Sequence, residues 1–400
     1  MGALTPPDGQ TADGLAAWLA DQLRARGSIT QLCWEQALRE VPRHHFVPAA
    51  AWFSPNHADA PKGRFDVHTN PPAWWAAVYA DTSIVTQTDD GAGDPASGKG
   101  TSSSSVSAPG IVFPFLELLN PQVGDHVLEI GTGSGWTAAL LSWAIGPDGV
   151  TSIELDPQVA AQAEANLRAA GFSPHLVVGD GVKGSPERAP FDGVHVTAGV
   201  SQIPLAWIEQ TRPGGTIVLP WHGAGPIGYQ LRLTVLGDAS AIGRFHERAD
   251  YMMLREQRFN LRWSSHRHKQ AVHSTTVVNP HIIGEADLGA RLLCAALAPR
   301  VAWYDIIEDS EYSLLLYELD DHTSEGSWAA CDHAPGAAEC RVTQYGPRRL
   351  WDEVSAAYLE WLALGSPGYE RFGLSIDPTG TRLWLDHPDG PAWDLPTQAR

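Results

Sequence analysis

Val127-Leu128-Glu129-Ile130 runs directly into Gly131-Thr132-Gly133-Ser134-Gly135-Trp136, and no other stretch of the 400 residues restricts the fold so sharply. An apolar strand pattern meets three alternating glycines and then a helical pattern from Trp136 to Ile145. Glycine lets the backbone turn tightly and approach a ligand closely, and the helix start offers unpaired N–H groups. The spacing is G-x-G-x-G, with Trp136 where a dinucleotide fingerprint continues towards a further glycine. That shift, with the acidic Glu129 near the strand end, points to S-adenosylmethionine rather than a nicotinamide dinucleotide. An NAD-dependent oxidoreductase is the reading it disfavours.

The rhythm around this motif agrees. Between Val106 and Trp221, strand patterns at 126–130, 150–153, 175–178, 193–197 and 216–220 alternate with helical patterns at 110–119, 136–145, 157–170 and 204–211. Such alternation predicts an α/β fold with a doubly wound, mostly parallel sheet, whose ligands sit at the carboxyl ends of the strands. Two further strand ends carry acids. Glu154 lies 154 − 135 = 19 residues beyond the last glycine, where a carboxylate accepts from ribose hydroxyls. Asp180, in Gly179-Asp180-Gly181, is placed to accept from an adenine amino group. Each acid alone also reads as a solvated strand end; the ordered set of three argues for an adenosyl compound.

Composition narrows the function class. A chain that is 43% hydrophobic, with 16 Trp, 10 Phe and 9 Tyr, has ample material for packed cores. The 46 acidic against 27 basic residues, net −19, disfavour phosphate backbones, so no nucleic-acid partner is expected. No apolar run approaches the length needed to cross a bilayer, and the N-terminus lacks a signal-peptide pattern, so a cytoplasmic protein without a membrane partner is expected. Cys33, Cys294, Cys331 and Cys340 form no disulfide framework, and Cys331-Asp332-His333 with Cys340, in a Pro/Gly/Ala-rich stretch read as a loop, matches no paired metal spacing. No metal is expected, and a monomer is favoured.

Residues 1–13 read as a flexible tail, and 14–105 as an N-terminal helical, substrate-side region. Within it, helical patterns cover 15–26 and 34–41 and a short strand 83–86. Residues 89–105 (DDGAGDPASGKGTSSSS) form a low-complexity loop, either a functional lid or a disordered insertion. The methyl-donor domain is expected over 106–260, with β segments at 229–236 and 240–260, and a small accessory α+β domain over 261–400, including a helix at 348–364. Arg255, Arg258, Arg262, Arg267 and Lys269, with His266 and His268, reverse the local sign of charge. They either steer an acidic peptide or form a solvated linker. The tryptophans of the last region, Trp263 to Trp393, serve as core or as a binding platform.

The chain resembles the protein-L-isoaspartate O-methyltransferase family over about residues 14–260. The resemblance rests on Val41-Pro42-Arg43-His44-His45-Phe46-Val47-Pro48, Ser105-Val106-Ser107-Ala108-Pro109, the glycine motif, Val177-Val178-Gly179-Asp180-Gly181, residues 186–198 (PERAPFDGVHVTA) and Pro213-Gly214-Gly215. It implies a class I S-adenosylmethionine-dependent methyltransferase fold with an added N-terminal helical region, acting on a peptide carboxylate. The implied cofactor contacts are Ser105, Val106, Ser107, Glu129, Gly131, Thr132, Gly133, Ser134, Gly135, Glu154, Leu155, Asp180, Gly181 and Thr197. Ser107, Thr197 and Ala198 are implied to meet the substrate, with Ser107 the catalytic residue. The family's motif usually reads Thr-Ile-Ser-Gln-Pro; this chain departs at Ser105 and Ala108 and carries the insertion just before it. Ser107 reads alternatively as a helix N-cap ahead of Pro109.

A repair-like core followed by an extra domain ending in Arg371-Phe372-Gly373-Leu374 and Thr381-Arg382-Leu383-Trp384-Leu385-Asp386 resembles methyltransferases of lanthipeptide and ATP-grasp (graspetide) ribosomal peptide pathways. That resemblance implies esterification of one aspartate in a cyclised precursor, leading to aspartimide or isoaspartate. The alternatives are general isoaspartyl repair and a non-catalytic binding module of the same fold.

Overall fold

In the computed structural model, residues 11–223, 227–258, 270–308, 310–319 and 326–396 are described. The chain divides into two units: Met1–Ala198 with Pro204–Leu219, and Gly199–Ile203 with Pro220–Arg400. The boundary expected at 260 falls inside the second unit.

The first unit opens with α1 (Ala12–Ala25) and α2 (Leu32–Glu40), so helix begins within the segment read as a tail. The next stretch contains the strand expected at 83–86, within Thr82–Thr88, and adds three strands where a mainly helical region was expected. Strands β1 (Ala50–Pro55) and β2 (Gly63–Asp66), helix α3 (Pro71–Val78) and strands β3 (Thr82–Thr88) and β4 (Ser102–Val106) follow, and the strands form a four-stranded sheet in the order β2-β1-β3-β4. Serine has little strand preference of its own; β4 forms because it pairs with β3, Ile84 opposite Val106 and Val85 opposite Ser105. Only part of 89–105 is therefore loop. That part is packed: Asp89 accepts from the Thr101 amide at 2.7 Å, and the Trp52 amide donates to the Pro95 carbonyl at 3.3 Å.

Helix α4 (Pro109–Leu119) leads into β5 (Val127–Ile130), α5 (Trp136–Ile145), β6 (Val150–Glu154), α6 (Pro157–Ala169), β7 (His175–Val178), β8 (Phe191–Val196), α7 (Leu205–Glu209) and β9 (Thr211–Trp221), whose last two residues belong to the second unit. Within the first unit the sheet order is β9-β8-β5-β6-β7, and all these pairs are parallel. The chain runs outward from β5 through β6 to β7, then returns to β8 on the other side. This reversal beside β5 is the topological switch point, where an open α/β sheet makes its ligand crevice. Burial on both faces explains why β5 is apolar except at Glu129, with all four of its residues buried. Trp136, Leu140 and Leu141 of α5 are also buried. Asp156 fixes the start of α6, accepting from the Gln158 and Val159 amides at 2.9 and 3.3 Å ahead of Pro157.

In the second unit, β10 (Tyr229–Gly237) and β11 (Ser240–Arg248) make an antiparallel pair. The β segment expected over 240–260 thus stops at Arg248, and Arg255–Gln257 form a single 3₁₀ turn. Then come β12 (Val272–Thr276), α8 (Pro280–Gly284), α9 (Leu288–Leu297), β13 (Val301–Glu308), β14 (Glu311–Glu318), β15 (Trp328–His333), β16 (Cys340–Tyr345), α10 (Leu350–Ala363), β17 (Phe372–Asp377), β18 (Gly380–Leu385) and β19 (Ala392–Leu395). Strands β12-β16-β15-β14-β13 form one sheet, while β17 pairs antiparallel with β11, Ala241 opposite Ile376. The C-terminal sheet unit therefore begins before residue 261, since the last strands extend the β10–β11 pair. Cys331 and His333 lie on β15 and Cys340 on β16, so the loop between these strands is shorter than expected. Of the cationic run, Arg262, His266, Arg267, His268 and Lys269 lie outside the described residues, as does Trp263. Trp328, Trp351, Trp361 and Trp384 are buried, in keeping with a core role. No described helix is long and apolar enough to cross a membrane.

Candidate active site

The glycine turn is built from backbone conformations that side chains disfavour. Gly131, Gly133 and Gly135 have φ of +94°, +55° and +91°. A Cβ on Gly131 would sit 2.5 Å from Thr197 Oγ1, and one on Gly133 3.3 Å from the Ser105 carbonyl oxygen. The turn is thus a cradle that any larger residue would fill, pressed on one side by the end of β8 and on another by β4. Thr197 braces it, its hydroxyl directed at the carbonyl oxygens of Ile130 and Gly131 at 3.0 and 2.5 Å. Thr132 and Ser134 are buried, Thr132 by its contact with Ser152 at 2.6 Å and Ser134 with its carbonyl accepting from Asn166 Nδ2 at 3.0 Å.

Glu154 ends β6 beside this turn. Its two carboxylate oxygens accept from the Gly133 amide at 3.0 Å and the Asp156 amide at 3.0 Å. Burial raises the carboxyl, opposed by those backbone N–H groups, which favour the anion. Each oxygen keeps a further lone pair for a hydroxyl donor. The following Leu155 is 42% exposed, leaving an apolar side chain free to cover a flat ring. Asp180 ends up committed in part to its own turn, accepting from the Val182 amide at 3.0 Å, with Lys183 Nζ 3.9 Å away. Its neighbour Gly181 is held by Trp207, whose Nε1 donates to the Gly181 carbonyl at 2.8 Å.

Glu129 has no exposed surface, and Ser152 Oγ donates to its Oε2 at 2.5 Å. Burial, with Glu154 close by, pushes its carboxyl up to about 8 despite the Ser152 hydrogen bond. Its Oε1 is buried without a hydrogen-bond partner among the described residues. The same row of the sheet places His195 of β8 opposite Glu129. That imidazole, also enclosed, is held neutral by burial, pushed down to about 3.

The turn after β4 carries Ser107. The N-cap of α4 is Ala108, and it makes no side-chain capping bond, so the capping role considered for Ser107 is not what the residue does. Among the described residues nothing engages the Ser107 hydroxyl. Val106, next to it, is buried in the core. What fixes this turn is a residue to which sequence reasoning gave no role. Arg43 is fully buried, and its guanidinium donates to the carbonyls of Val78, Ala80, Thr82, Val106 and Ser107, at 2.7, 3.2, 2.6, 3.5 and 3.0 Å. It also lies 5.1 Å from the Trp136 ring at the start of α5. From the other side, buried Asp81 accepts from the Gly110 amide at 2.7 Å and from Asn56 Nδ2 at 2.9 Å. The only sequence signal for Arg43 was its place in the Val41–Pro48 motif; Asp81 gave none beyond its place before β3.

Chemically, the arrangement offers a rigid anionic acceptor at Glu154, an open cradle at Gly131 and Gly133, and an unengaged hydroxyl at Ser107 one turn away. No described group of three or more His, Cys, Asp or Glu side chains has the geometry to hold a metal ion.

Comparison with known proteins agrees with this geometry. The family model described as protein-L-isoaspartate(D-aspartate) O-methyltransferase matches residues 73–253. The chain is 32% identical over 240 residues to a protein-L-isoaspartate O-methyltransferase of Aeropyrum pernix, covering 59% of this chain and 76% of that one. It is 36% identical over 204 residues to protein-L-isoaspartate O-methyltransferase 2 of Archaeoglobus fulgidus, covering 50% of this chain and 76% of that one. A solved protein-L-isoaspartate O-methyltransferase structure superposes with a TM-score of 0.52 at 20% identity, covering 93% of this chain and all of the other, a likeness of fold. The chain therefore belongs to the protein-L-isoaspartate O-methyltransferase family, and it is an S-adenosylmethionine-dependent protein carboxyl O-methyltransferase.

Proposed function

We propose that this enzyme esterifies an aspartate side chain in a modified, macrocyclic ribosomal precursor peptide, and that the ester then closes to a succinimide (aspartimide), which water can open to isoaspartate. The observation that carries the reading is the approach of the Ser105 carbonyl to Gly133, which sets the Ser107 turn directly against the cofactor cradle. S-adenosylmethionine supplies a methyl group from a sulfonium. Glu154 accepts from its ribose hydroxyls, the Gly131 and Gly133 backbone gives it room, Leu155 covers one face of the adenine, and Asp180 uses its remaining oxygen on the adenine amino group. Ser105, Val106, Gly181 and Thr197 shape the walls; Thr132, Ser134 and Gly135 hold the turn, and Glu129 supports it from beneath.

A carboxylate is already ionised at neutral pH, so no strong base is required. Ser107 donates its hydroxyl proton in a hydrogen bond to one carboxylate oxygen, leaving the other free to attack, while Thr197 and Ala198 border the acceptor. The rate gain comes from alignment and from excluding water. In the product ester, the next residue's amide nitrogen attacks the carbonyl carbon; the C–N bond forms, the C–O bond breaks, and methanol leaves with the amide proton. The macrocyclic substrate is favoured over generic repair by the inserted, packed 89–101 loop ahead of the Ser107 turn and by the chain beyond the family match. The test is a competition between a cyclised precursor and a linear isoaspartyl peptide. Methylation of the first and neglect of the second is expected; efficient turnover of generic isoaspartyl peptides restores the repair alternative.

A further inference from the structure

The β3–β4 hairpin, which carries the insertion, is tied to the cofactor side of the site by one side chain. Gln87 of β3 is 8% exposed, and its Nε2 donates to Asp156 Oδ2 at 3.0 Å. Its amide orientation is fixed by Ser103 of β4, whose hydroxyl donates to Gln87 Oε1 at 2.9 Å. Asp156 in turn caps α6 with its other oxygen and donates its own amide to Glu154 at 3.0 Å. Glu154 accepts from Gly133 at 3.0 Å, and Gly133 lies against the carbonyl of Ser105, two residues along β4 from Ser103. The contacts close on themselves: hairpin, β6–α6 turn, glycine turn and hairpin again.

We infer that this collar makes the β3–β4 hairpin a strap across the cofactor site and that Gln87 is its latch, a positioning residue that sets how fast the cofactor leaves. The inference rests on the ribose placement at Glu154 proposed above. A ligand enclosed by the collar departs only when one of its links parts. The backbone amide links to Glu154 belong to the turns themselves, and the approach of Ser105 to Gly133 is a packing contact. The Gln87–Asp156 bond is a side-chain link between the hairpin and the β6–α6 turn, free to break by rotamer change without unfolding either turn, so it is the link that parts. Ser103 and Ser105 lie on the strand that continues into Ser107, whose turn is held separately by Arg43, so parting the latch frees the donor without displacing the acceptor.

The test is S-adenosylhomocysteine release from the full-length enzyme, followed by stopped-flow tryptophan fluorescence, with Kd from titration and kcat at saturating donor. Gln87→Ala is expected to speed release about five- to tenfold and raise Kd in proportion, as loss of one partly buried hydrogen bond implies. Ser103→Ala, which frees the Gln87 amide without removing it, gives a smaller change in the same direction and serves where Gln87→Ala does not fold. Neither variant lowers kcat at saturating donor, whereas general damage to the fold would. Release at the wild-type rate from both folded variants, with Glu154→Ala losing affinity, overturns the latch and leaves the ribose placement standing. Undiminished binding by Glu154→Ala overturns the ribose placement itself.

Discussion

Arg43 Nη2 donates to the carbonyl oxygen of Ser107 across 3.0 Å, from a guanidinium with no exposed surface. A cation this deep is compensated here by five carbonyl dipoles, by the Trp136 ring and by the charge of Asp81. Burial pushes the guanidinium down to about 9, which still leaves it protonated at neutral pH. The consequence concerns the acceptor turn. Arg43→Met strands buried carbonyls and is expected to cost about 3 kcal/mol or more of stability. Arg43→Lys keeps the charge but not the fork, and loses turnover more than donor affinity. Urea unfolding and single-turnover rates on both variants check this; equal kcat in Arg43→Lys and wild type contradicts it.

Ser107→Ala leaves cofactor affinity nearly intact and cuts turnover, because the hydroxyl orients the substrate and not the donor. Calorimetry with S-adenosylhomocysteine beside a methyl-transfer assay separates the two. Loss of donor binding in this variant contradicts the assigned role.

Gly131→Ala puts a methyl 2.5 Å from Thr197 Oγ1 in a backbone conformation at φ +94°. Strain of this kind costs about 1–2 kcal/mol of fold stability per residue, and donor affinity falls because the added methyl crowds the cradle. Gly171→Ala, also at positive φ but with open space around the added methyl, carries the strain alone. Greater thermal destabilisation in Gly131→Ala than in Gly171→Ala, with weakened binding only in Gly131→Ala, is the expected pattern in paired melting and titration experiments.

Glu129 gives a pH signature. Its folded value near 8 lies above the ordinary carboxyl value of 4.5, so the native state holds the proton more tightly than the unfolded chain. Stability from this group is full below the unfolded value and declines as pH rises from about 4.5 towards 8. Glu129→Gln, neutral throughout, removes that decline. Denaturant midpoints measured between pH 5 and 8 should fall more steeply for wild type than for the variant; parallel curves contradict the assignment.

Legibility of this chain followed the range of the interactions. The parallel strands and glycine turn were readable because strand, turn and helix signals lie within ten consecutive residues, and Glu154 because its offset from the turn is fixed by one helix. Strands β1, β2 and β4 escaped notice: they are short and formed by pairing, β1 and β4 with β3 and β2 with β1. The burial of Glu129 was hidden for a related reason, since a residue within a strand points to one face or the other and the pattern does not say which is open. Arg43 and Gln87 work through partners 64 and 69 positions away, so composition gave no hint of them. Asp156-Pro157 was a local signal, a cap followed by proline, that went unused.

The central claim is that the methyl group is delivered to an aspartyl oxygen. Incubating the enzyme with methyl-labelled S-adenosylmethionine and the cyclised precursor, then raising the pH, tests it most directly. The account predicts label that leaves as volatile methanol, with the peptide closing to succinimide. Label that survives base on the peptide, fixed to nitrogen or carbon, would contradict it.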